Sequence, residues 1–398
     1  MTPSYGSAEA LLTHHLGSHP IVGVRPHVVE RTARQMIAQF PGDVLYAVKC
    51  NDADPVLDAL WKGGIRHFDT ASIGEVRQIR RRFPGAVCHF MHPVKSPEAI
   101  AEAYFEHGVR SFVLDHEEEL AKIVQVTNRA KDLDLFVRLA VPGEGAVLTL
   151  TGKFGCDVEE APALVRACRA FARSVGITFH VGSQCLDPMA FHRAIALCGQ
   201  VVAEAGAVDM LDVGGGFPGR YRGDEPGFDL FVATIKAALH QYGLAGTPLQ
   251  CEPGRALVAD GASVFARVEL RRGASLYLND GVYGNLAELK WIGPQFPLRA
   301  IRVGGRHGDA PLIPYDLFGP TCDSIDSMPG PHLLPADMDE GDWIEVGQMG
   351  AYSNALKTRF NGFETGGVVF LHDDAFDRIR LEASLARRGD AFAYAQAA

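Results

Sequence analysis

Short apolar runs alternate with amphipathic stretches along the first two thirds of the chain. Helical spacing of apolar positions marks residues 27–38, 117–129, 161–174, 191–205 and 228–242. Eight other runs have the length and composition of buried parallel strands: 44–49, 66–69, 86–91, 111–114, 133–139, 177–181, 210–213 and 249–252. Strands and helices that alternate in this way form parallel β-α units. Eight such units in about 230 residues predict an α/β fold, the (β/α)8 or TIM barrel.

The pattern changes after residue 262. Strand-like pieces at 263–270, 275–278, 298–303, 343–346 and 367–371 are separated by Gly, Pro and Asp, without helical spacing between them. A short strand is also predicted at 20–24, ahead of the first helix. We therefore expect a barrel at 25–262 and a mostly β domain built from 1–24 and 263–398.

Composition narrows the classes of function. The net charge of −10 argues against a nucleic-acid partner, because phosphate binding needs a basic face. The sequence shows no apolar run of about 20 residues and no signal-peptide pattern, so we expect no membrane association and a cytoplasmic location. Eight scattered cysteines without a C-x-x-C pair indicate reduced thiols and no metal site.

One lysine closes the first predicted barrel strand, in Tyr46-Ala47-Val48-Lys49-Cys50-Asn51. A lysine at the mouth of a packed core loses hydration, which predicts a lowered pKa. Its deprotonated amine can attack an aldehyde and hold it as a Schiff base. A lone lysine at a strand end more often only extends to solvent. The interpretation of Lys49 therefore depends on the other strand ends.

Chemically capable side chains gather at the ends of the predicted strands. Catalytic groups of a barrel project from the carboxyl ends of its strands. At these ends stand Lys49, Asp69, His92, Arg138, His180, Ser183, Gly214–Gly216, Glu252 and Arg255. Unrelated strand ends would carry a random mixture of turn residues, so this concentration is the first indication of a site.

The glycine triplet formally begins a G-x-G-x-x-G motif. Pro218 and the polar stretch after it delay any helix, which excludes a dinucleotide fingerprint. Gly214, Gly215 and Gly216 could present N–H groups to a phosphate, or they could form an ordinary tight turn.

Several other candidates also have a plain structural alternative. Arg255 could grip a phosphate and Glu252 could face a protonated ring nitrogen, or the two could pair with each other. His180 could be a core histidine satisfied by hydrogen bonds. Cys322 could be inert core filling, and Tyr352 could bind a phosphate or simply pack.

In this order, the motifs resemble those of the fold-type III pyridoxal-phosphate decarboxylases, the family of ornithine, lysine and diaminopimelate decarboxylases, with its alanine-racemase-like barrel. The resemblance extends from about Ile21 to Phe363 and is nearest to the ornithine/lysine branch, because Cys322-Asp323 stands where diaminopimelate enzymes usually show Cys-Glu-Ser. It implies pyridoxal 5′-phosphate as cofactor. It also implies a homodimer with shared active sites, in which the loop of Cys322 and Asp323 enters the partner's site.

The resemblance further implies roles for single residues. Catalysis is expected from Lys49, which carries the cofactor, and from His180, Glu252 and Cys322, the proton donor. Substrate contacts are expected from Asp323, Tyr283 and Glu288. The expected cofactor-binding residues are Lys49, Asp69, Arg138, His180, Ser183, Gly214, Gly215, Gly216, Glu252, Gly254, Arg255 and Tyr352.

One departure leaves the substrate open. Ornithine decarboxylases usually carry a second acid some way after D-G-V-Y, whereas Glu288 is the only acid in 284–292 and stands earlier than expected. The expected reaction is decarboxylation of a cationic amino acid, L-ornithine first or L-lysine, to the diamine; arginine, diaminopimelate or a related substrate is the alternative.

Two rival functions share the fold. An amino-acid racemase would typically place arginine at the ring nitrogen, where Glu252 stands. A noncatalytic homologue, like the antizyme inhibitors, is disfavoured because the chain retains Lys49, Asp69, Cys322 and Asp323.

Overall fold

The computed structural model describes residues 2–15, 17–293, 295–303, 310–364 and 366–388. The predicted second domain includes residues 1, 16, 294, 304–309, 365 and 389–398, which lie outside the described residues.

In chain order, the strands are β1 (Ser4–Tyr5), β2 (Ile21–Val24), β3 (Asp43–Ala47), β4 (His67–Thr70), β5 (Val87–Phe90), β6 (Ser111–Leu114), β7 (Leu133–Arg138), β8 (Ala146–Leu148), β9 (Ala172–Thr178), β10 (Ser183–Cys185), β11 (Met210–Asp212), β12 (Leu249–Cys251), β13 (Ala262–Arg272), β14 (Ser275–Leu278), β15 (Leu298–Ile301), β16 (Leu312–Phe318), β17 (Ser327–Pro335), β18 (Trp343–Val346) and β19 (Val368–Leu371). The α-helices are α1 (Ala8–His14), α2 (Pro26–Gln39), α3 (Asp54–Lys62), α4 (Ile73–Arg82), α5 (Pro97–Phe105), α6 (Glu117–Val126), α7 (Ala161–Arg169), α8 (Met189–Ala205), α9 (Phe228–Gln241), α10 (Arg255–Val258), α11 (Ala287–Trp291) and α12 (Arg378–Arg388).

Eight parallel strands close into a barrel in the order β3-β4-β5-β6-β7-β9-β11-β12. The strands are apolar on both faces because side chains fill the interior and helices cover the outside; Ser111–Leu114 is buried at every position. A helix follows β3, β4, β5 and β6, and α7, α8 and α9 complete the later crossovers. The predicted (β/α)8 barrel is confirmed, and the carboxyl ends of its strands share one rim.

Two local predictions in the barrel are wrong. The helix predicted at 161–174 ends at Arg169, and β9 already begins at Ala172. Pairing with β7 draws these residues into the sheet, where both Arg173 and Ser174 bond Asp134; tertiary contacts thus override helical spacing. The strand predicted at 44–49 ends at Ala47, and Lys49 lies in a 3-10 turn, Val48–Cys50.

A nine-stranded sheet lies beside the barrel. Its main path runs β1-β19-β2-β13-β14-β16-β17, while β18 joins β13 to β15. Strand β2 pairs with both β13 and β19, which ties the N-terminal segment to the second sheet. The sequence pattern missed β16 and β17 because Pro314, Pro329 and Pro331 interrupt them, and proline normally argues against a strand. The pattern also missed the helices α11 and α12 in this part of the chain.

A buried arginine fastens the first barrel helix to the sheet. Arg25, fully buried, precedes α2 and bonds Ser263 at 2.7 Å, Glu345 at 3.2 Å and Asp373 at 2.9 Å. Its charge is thus neutralised on both sides, which a fully buried guanidinium requires. Within the described ranges, no helix has the length and apolar character needed to cross a membrane.

Candidate active site

Lys49 lies at the rim of the barrel beside a buried acid. Its Nζ donates to Asp69 Oδ2 at 2.7 Å; the lysine side chain is 42% exposed and the aspartate side chain 2%. Asp69 comes from β4, which pairs in register with β3, so Ala47 stands opposite Asp69 and the lysine two residues later reaches it. The amine is therefore held in place yet open to a molecule that enters the barrel mouth.

The predicted lowering of the Lys49 pKa is wrong for the cofactor-free protein. Burial alone would lower this pKa, but the charge of Asp69, with smaller contributions from Tyr352 and Glu252, outweighs it and raises the pKa above its usual range. The lysine is thus an ammonium ion in this state. Loss of its proton has to accompany any reaction of its nitrogen.

Two further acids lie behind this pair. Glu252, at the end of β12, is 9% exposed, and its Oε1 has no hydrogen-bond partner within the described structure. Burial, then the charges of Asp212 and Asp69, raise the pKa of Glu252 well above its usual range. Burial, reinforced by Asp69, raises the pKa of Asp212 to about 7. Burial thus favours the protonated form of Glu252 in the cofactor-free protein, and a protonated carboxyl can give its proton to a base.

Sequence reasoning missed Asp212. It lies inside the apolar run of β11, fully buried, and its Oδ1 accepts from the N–H of Gly214 at 2.8 Å. The sequence did offer a signal for Asp212, because it is an acid within a predicted buried strand, next to the glycine triplet. Acids are rarely buried without a function or a partner.

Arg255 is the centre of a second group of side chains. Its Nη2 donates to Ser183 Oγ at 3.2 Å, and its Nη1 donates to the hydroxyl of Tyr221 at 2.8 Å and to Glu288. The guanidinium also lies over the ring of Tyr352, 5.0 Å from its centre. Ser183, Arg255 and Tyr352, which the resemblance assigned to the cofactor, are thus brought together. Tyr221 was not predicted.

Glu288 pairs with a buried arginine. Its side chain is 3% exposed and its Oε2 accepts from Arg255, while Asp323 is half-buried and accepts from the hydroxyl of Tyr283. The substrate contact expected for Glu288 stays a prediction.

His180 presents a neutral imidazole. Its Nδ1 accepts from the N–H of Gly182 at 3.1 Å. Burial, with the charges of Arg138 and Lys49, lowers the pKa of His180 to about 3. An uncharged flat ring suits stacking on another ring. Arg138, at the end of β7, is close enough for its charge to act on both His180 and Glu252.

The glycine triplet fits tightly between neighbouring strand ends. Gly214 has a φ of +65°, and a Cβ there would lie 1.9 Å from the carbonyl oxygen of Phe179. A Cβ on Gly215 would lie 3.0 Å from His180 Nε2. Gly214 already donates its N–H to Asp212 Oδ1, so this N–H is engaged within the chain. Gly254 is needed for close packing, because a Cβ there would lie 2.9 Å from that of Cys50.

The loop of Cys322 and Asp323 forms a separate group. Asp323 Oδ2 accepts from the hydroxyl of Tyr283 at 2.5 Å, and the N–H of Ile325 and this hydroxyl lower the pKa of Asp323. Asp326 fixes the loop by accepting from Thr321 and Val282. Among the described residues, no hydrogen bond or ion pair joins Cys322 or Asp323 to Lys49 or Asp69.

These residues fit pyridoxal 5′-phosphate. The unpartnered Oε1 of Glu252 and Oδ1 of Asp69 suit a ring nitrogen that carries a proton, and the buried, unpartnered Nε of Arg255 suits a phosphate oxygen. Lys49 stands between the two groups with an amine that can bond an aldehyde. The buried polar atoms that lack partners thus lie where the cofactor would supply a partner for each.

Comparison with known proteins agrees with this geometry. Residues 27–259 match the pyridoxal binding domain, and 256–350 the C-terminal sheet domain, of the pyridoxal-dependent decarboxylases. An ornithine decarboxylase of Panagrellus redivivus is 34% identical over 372 residues, which cover 86% of this chain and 83% of that protein.

Solved structures agree as well. A lysine/ornithine decarboxylase from Vibrio vulnificus, complexed with putrescine, has 31% identity and a TM-score of 0.77, with 92% of this chain and 99% of that one covered. An arginine decarboxylase of Paramecium bursaria Chlorella virus, bound to agmatine, has 26% identity and a TM-score of 0.79, with 90% and 98% covered. The chain described here is therefore a member of the pyridoxal-dependent decarboxylase family, and its cofactor is pyridoxal 5′-phosphate.

Proposed function

We propose that the protein decarboxylates a cationic L-amino acid, with L-ornithine as the first candidate and L-lysine as the second. The observation that carries this proposal is the group formed by Lys49, Asp69 and Glu252, an amine between buried acids at the barrel rim. The acid at the position of Glu252 favours a protonated ring nitrogen, which decarboxylation needs more than racemisation does.

Each residue then has a defined task. When bound, the cofactor supplies a ring that takes up the electron pair left on Cα as carbon dioxide departs. Glu252 would hold a proton at the ring nitrogen, and the neutral ring of His180 would stack on the cofactor. Lys49 would hold the cofactor through its aldehyde carbon, and Asp69 would keep Nζ in position. Cys322 would return a proton from its thiol to Cα.

The phosphate would be held by the second group of side chains. Ser183, Arg255 and Tyr352 supply donors, and Gly215 and Gly216 supply backbone N–H groups. Arg138 and Gly254 complete the cofactor-binding set by charge and by close packing. These assignments rest on the contacts above and on the match to the pyridoxal binding domain.

Asp323 would bind the cationic group at the distal end of the substrate side chain. This carboxylate is ionised, because its pKa is lowered by the N–H of Ile325 and the hydroxyl of Tyr283. Relatives named for ornithine, and a relative of known structure named for both lysine and ornithine, favour a short diamine product. Glu288 is the only acid in 284–292, the stretch where a second acid was expected, and it pairs with Arg255, so Asp323 would bear the distal charge alone.

We also propose a homodimer with shared active sites and a cytoplasmic location. The homodimer is supported by the lack, among the described residues, of any hydrogen bond or ion pair between the Cys322 loop and Lys49 of the same chain. Eight free cysteines, seven of them buried, suit a reducing compartment. Mixing Lys49→Ala and Cys322→Ala subunits should restore about a quarter of wild-type turnover, because half of the dimers then hold one intact site. No recovery on mixing would refute shared sites.

The substrate assignment is tested by carbon dioxide release from L- and D-ornithine, lysine, arginine and diaminopimelate. We expect the highest kcat/KM with L-ornithine, then L-lysine, and none with D-forms. Release from diaminopimelate alone would contradict a cationic substrate, and racemisation without release would contradict decarboxylation.

A further inference from the structure

A buried acid neutralises the arginine assigned to the phosphate. Glu288 lies in the short helix α11, between the apolar residues Ala287 and Leu289, and its Oε2 accepts from Arg255 Nη1. Both side chains are 3% exposed. A carboxylate this deeply buried would be very costly without its partner, and the arginine would be costly without the acid.

The donors of Arg255 are divided between two sides. Nη1 is occupied by Glu288 and by the hydroxyl of Tyr221 at 2.8 Å, whereas Nη2 reaches Ser183 at 3.2 Å. Nε is buried and has no partner within the described residues. Glu288 and Tyr221 thus hold one edge of the guanidinium, and the other edge is left to Ser183 and an incoming anion.

We propose that Glu288 is a positioning residue and the resident counter-ion of Arg255, and that its negative charge weakens the hold on the cofactor's phosphate. This inference rests on the proposed function, since it takes Arg255 as a phosphate ligand. It replaces the substrate contact expected for Glu288 from the sequence.

Two consequences follow from the charge. Without a cofactor, Glu288 is the charged group that neutralises the buried Arg255, so its loss destabilises the empty protein. With a cofactor, phosphate and Glu288 are like charges on either side of one cation, so the loss of Glu288 strengthens phosphate binding. A substrate contact would have neither effect.

The variant Glu288→Gln removes the charge and keeps an oxygen that can accept from Nη1. We expect the cofactor-free variant to unfold several degrees below wild type. Its preference for pyridoxal 5′-phosphate over pyridoxal, measured as a ratio of Kd values in phosphate-free buffer, should rise on the order of tenfold. Pyridoxal lacks the phosphate, so its own Kd should stay near the wild-type value.

Glu345→Gln is the matched control. Glu345 is fully buried between Arg25 and Arg299, in the sheet beside the barrel. This variant should lower the unfolding temperature of the cofactor-free protein and leave the ratio of Kd values unchanged. Glu288→Asp keeps the charge and should also keep the wild-type ratio.

An unchanged or reduced ratio in Glu288→Gln would overturn the inference while leaving the proposed function intact. A wild-type protein that binds pyridoxal as tightly as pyridoxal 5′-phosphate would overturn both. If Glu288→Gln can be purified only with cofactor bound, its release rate on dilution decides: slower release than wild type supports the inference, and faster release overturns it.

Discussion

Replacement of Glu252 by glutamine removes the ionisable group proposed to hold a proton against the ring nitrogen. The substitution keeps size and shape, so the pocket beside Asp212 and Asp69 stays filled. Glutamine cannot exchange a proton with the ring. The ring nitrogen should then be mostly unprotonated, and carbon dioxide should leave more slowly.

The magnitude follows from the burial of the site. Glu252 is 9% exposed, so water screens its charge poorly. A carboxylate and a protonated nitrogen about 4 Å apart attract by about 4 kcal/mol at an effective dielectric constant near 20. Loss of one such preorganised interaction typically lowers kcat by about 10²–10³-fold. We expect a fall of that size for Glu252→Gln and a comparable or larger one for Glu252→Ala.

The assay combines carbon dioxide release at saturating substrate with the absorbance of bound cofactor. Cofactor should still bind to Glu252→Gln, because Lys49 and the phosphate ligands remain. Glu119→Gln is the matched control: Glu119 is 5% exposed and paired with Lys95 and Lys122, away from Glu252. Glu119→Gln should keep near-wild-type turnover per bound cofactor. A Glu252→Gln enzyme with a kcat within about threefold of wild type would contradict this role of Glu252, since the lost stabilisation would be under about 1 kcal/mol.

Three further changes test other parts of the structure. Burial, with the neighbouring His67, lowers the pKa of His89 to about 3, so the folded protein keeps His89 neutral while the unfolded chain binds a proton below about pH 6.5. The free energy of unfolding should therefore fall as pH falls, by about 2 kcal/mol between pH 7 and 5 because of this group. In urea unfolding, His89→Gln should lose about 2 kcal/mol less over this pH range than wild type does. Equal losses in the two proteins would contradict the assignment. Gly214→Ala should lower stability by about 3 kcal/mol or more, because the added Cβ meets the oxygen of Phe179, and a melting temperature near that of wild type would contradict this. Glu345→Gln should cost about 3–5 kcal/mol in urea while turnover per folded molecule stays the same; a loss below about 1 kcal/mol would show that Arg25 is neutralised without Glu345.

The barrel could be predicted because its strands are buried on both faces and its helices on one. Strands buried on both faces appear in the sequence as continuous apolar runs, whereas helices buried on one face show apolar residues at helical spacing. The position of the site followed from topology alone, since parallel strands bring their carboxyl ends to one rim. Lys49 and Asp69, twenty residues apart, could therefore be placed together before any coordinates.

Other features depend on neighbours that no local pattern reveals. The pKa of Lys49 rises because three surrounding groups outweigh burial, and their distances arise only in the folded chain. Asp212 was hidden inside an apolar run, and the pairing of Glu288 with Arg255 joins residues 33 positions apart. The strands β16 and β17 form despite their prolines because each pairs with the other along most of its length.

Every role proposed for the barrel rim requires Lys49 to carry pyridoxal 5′-phosphate. Borohydride reduction of the purified protein, followed by peptide mass mapping, shows whether it does. We predict one phosphopyridoxyl group per chain, on Lys49, and none in Lys49→Ala. A colourless protein without an adduct, or an adduct on another lysine with Lys49 unmodified, would contradict the account.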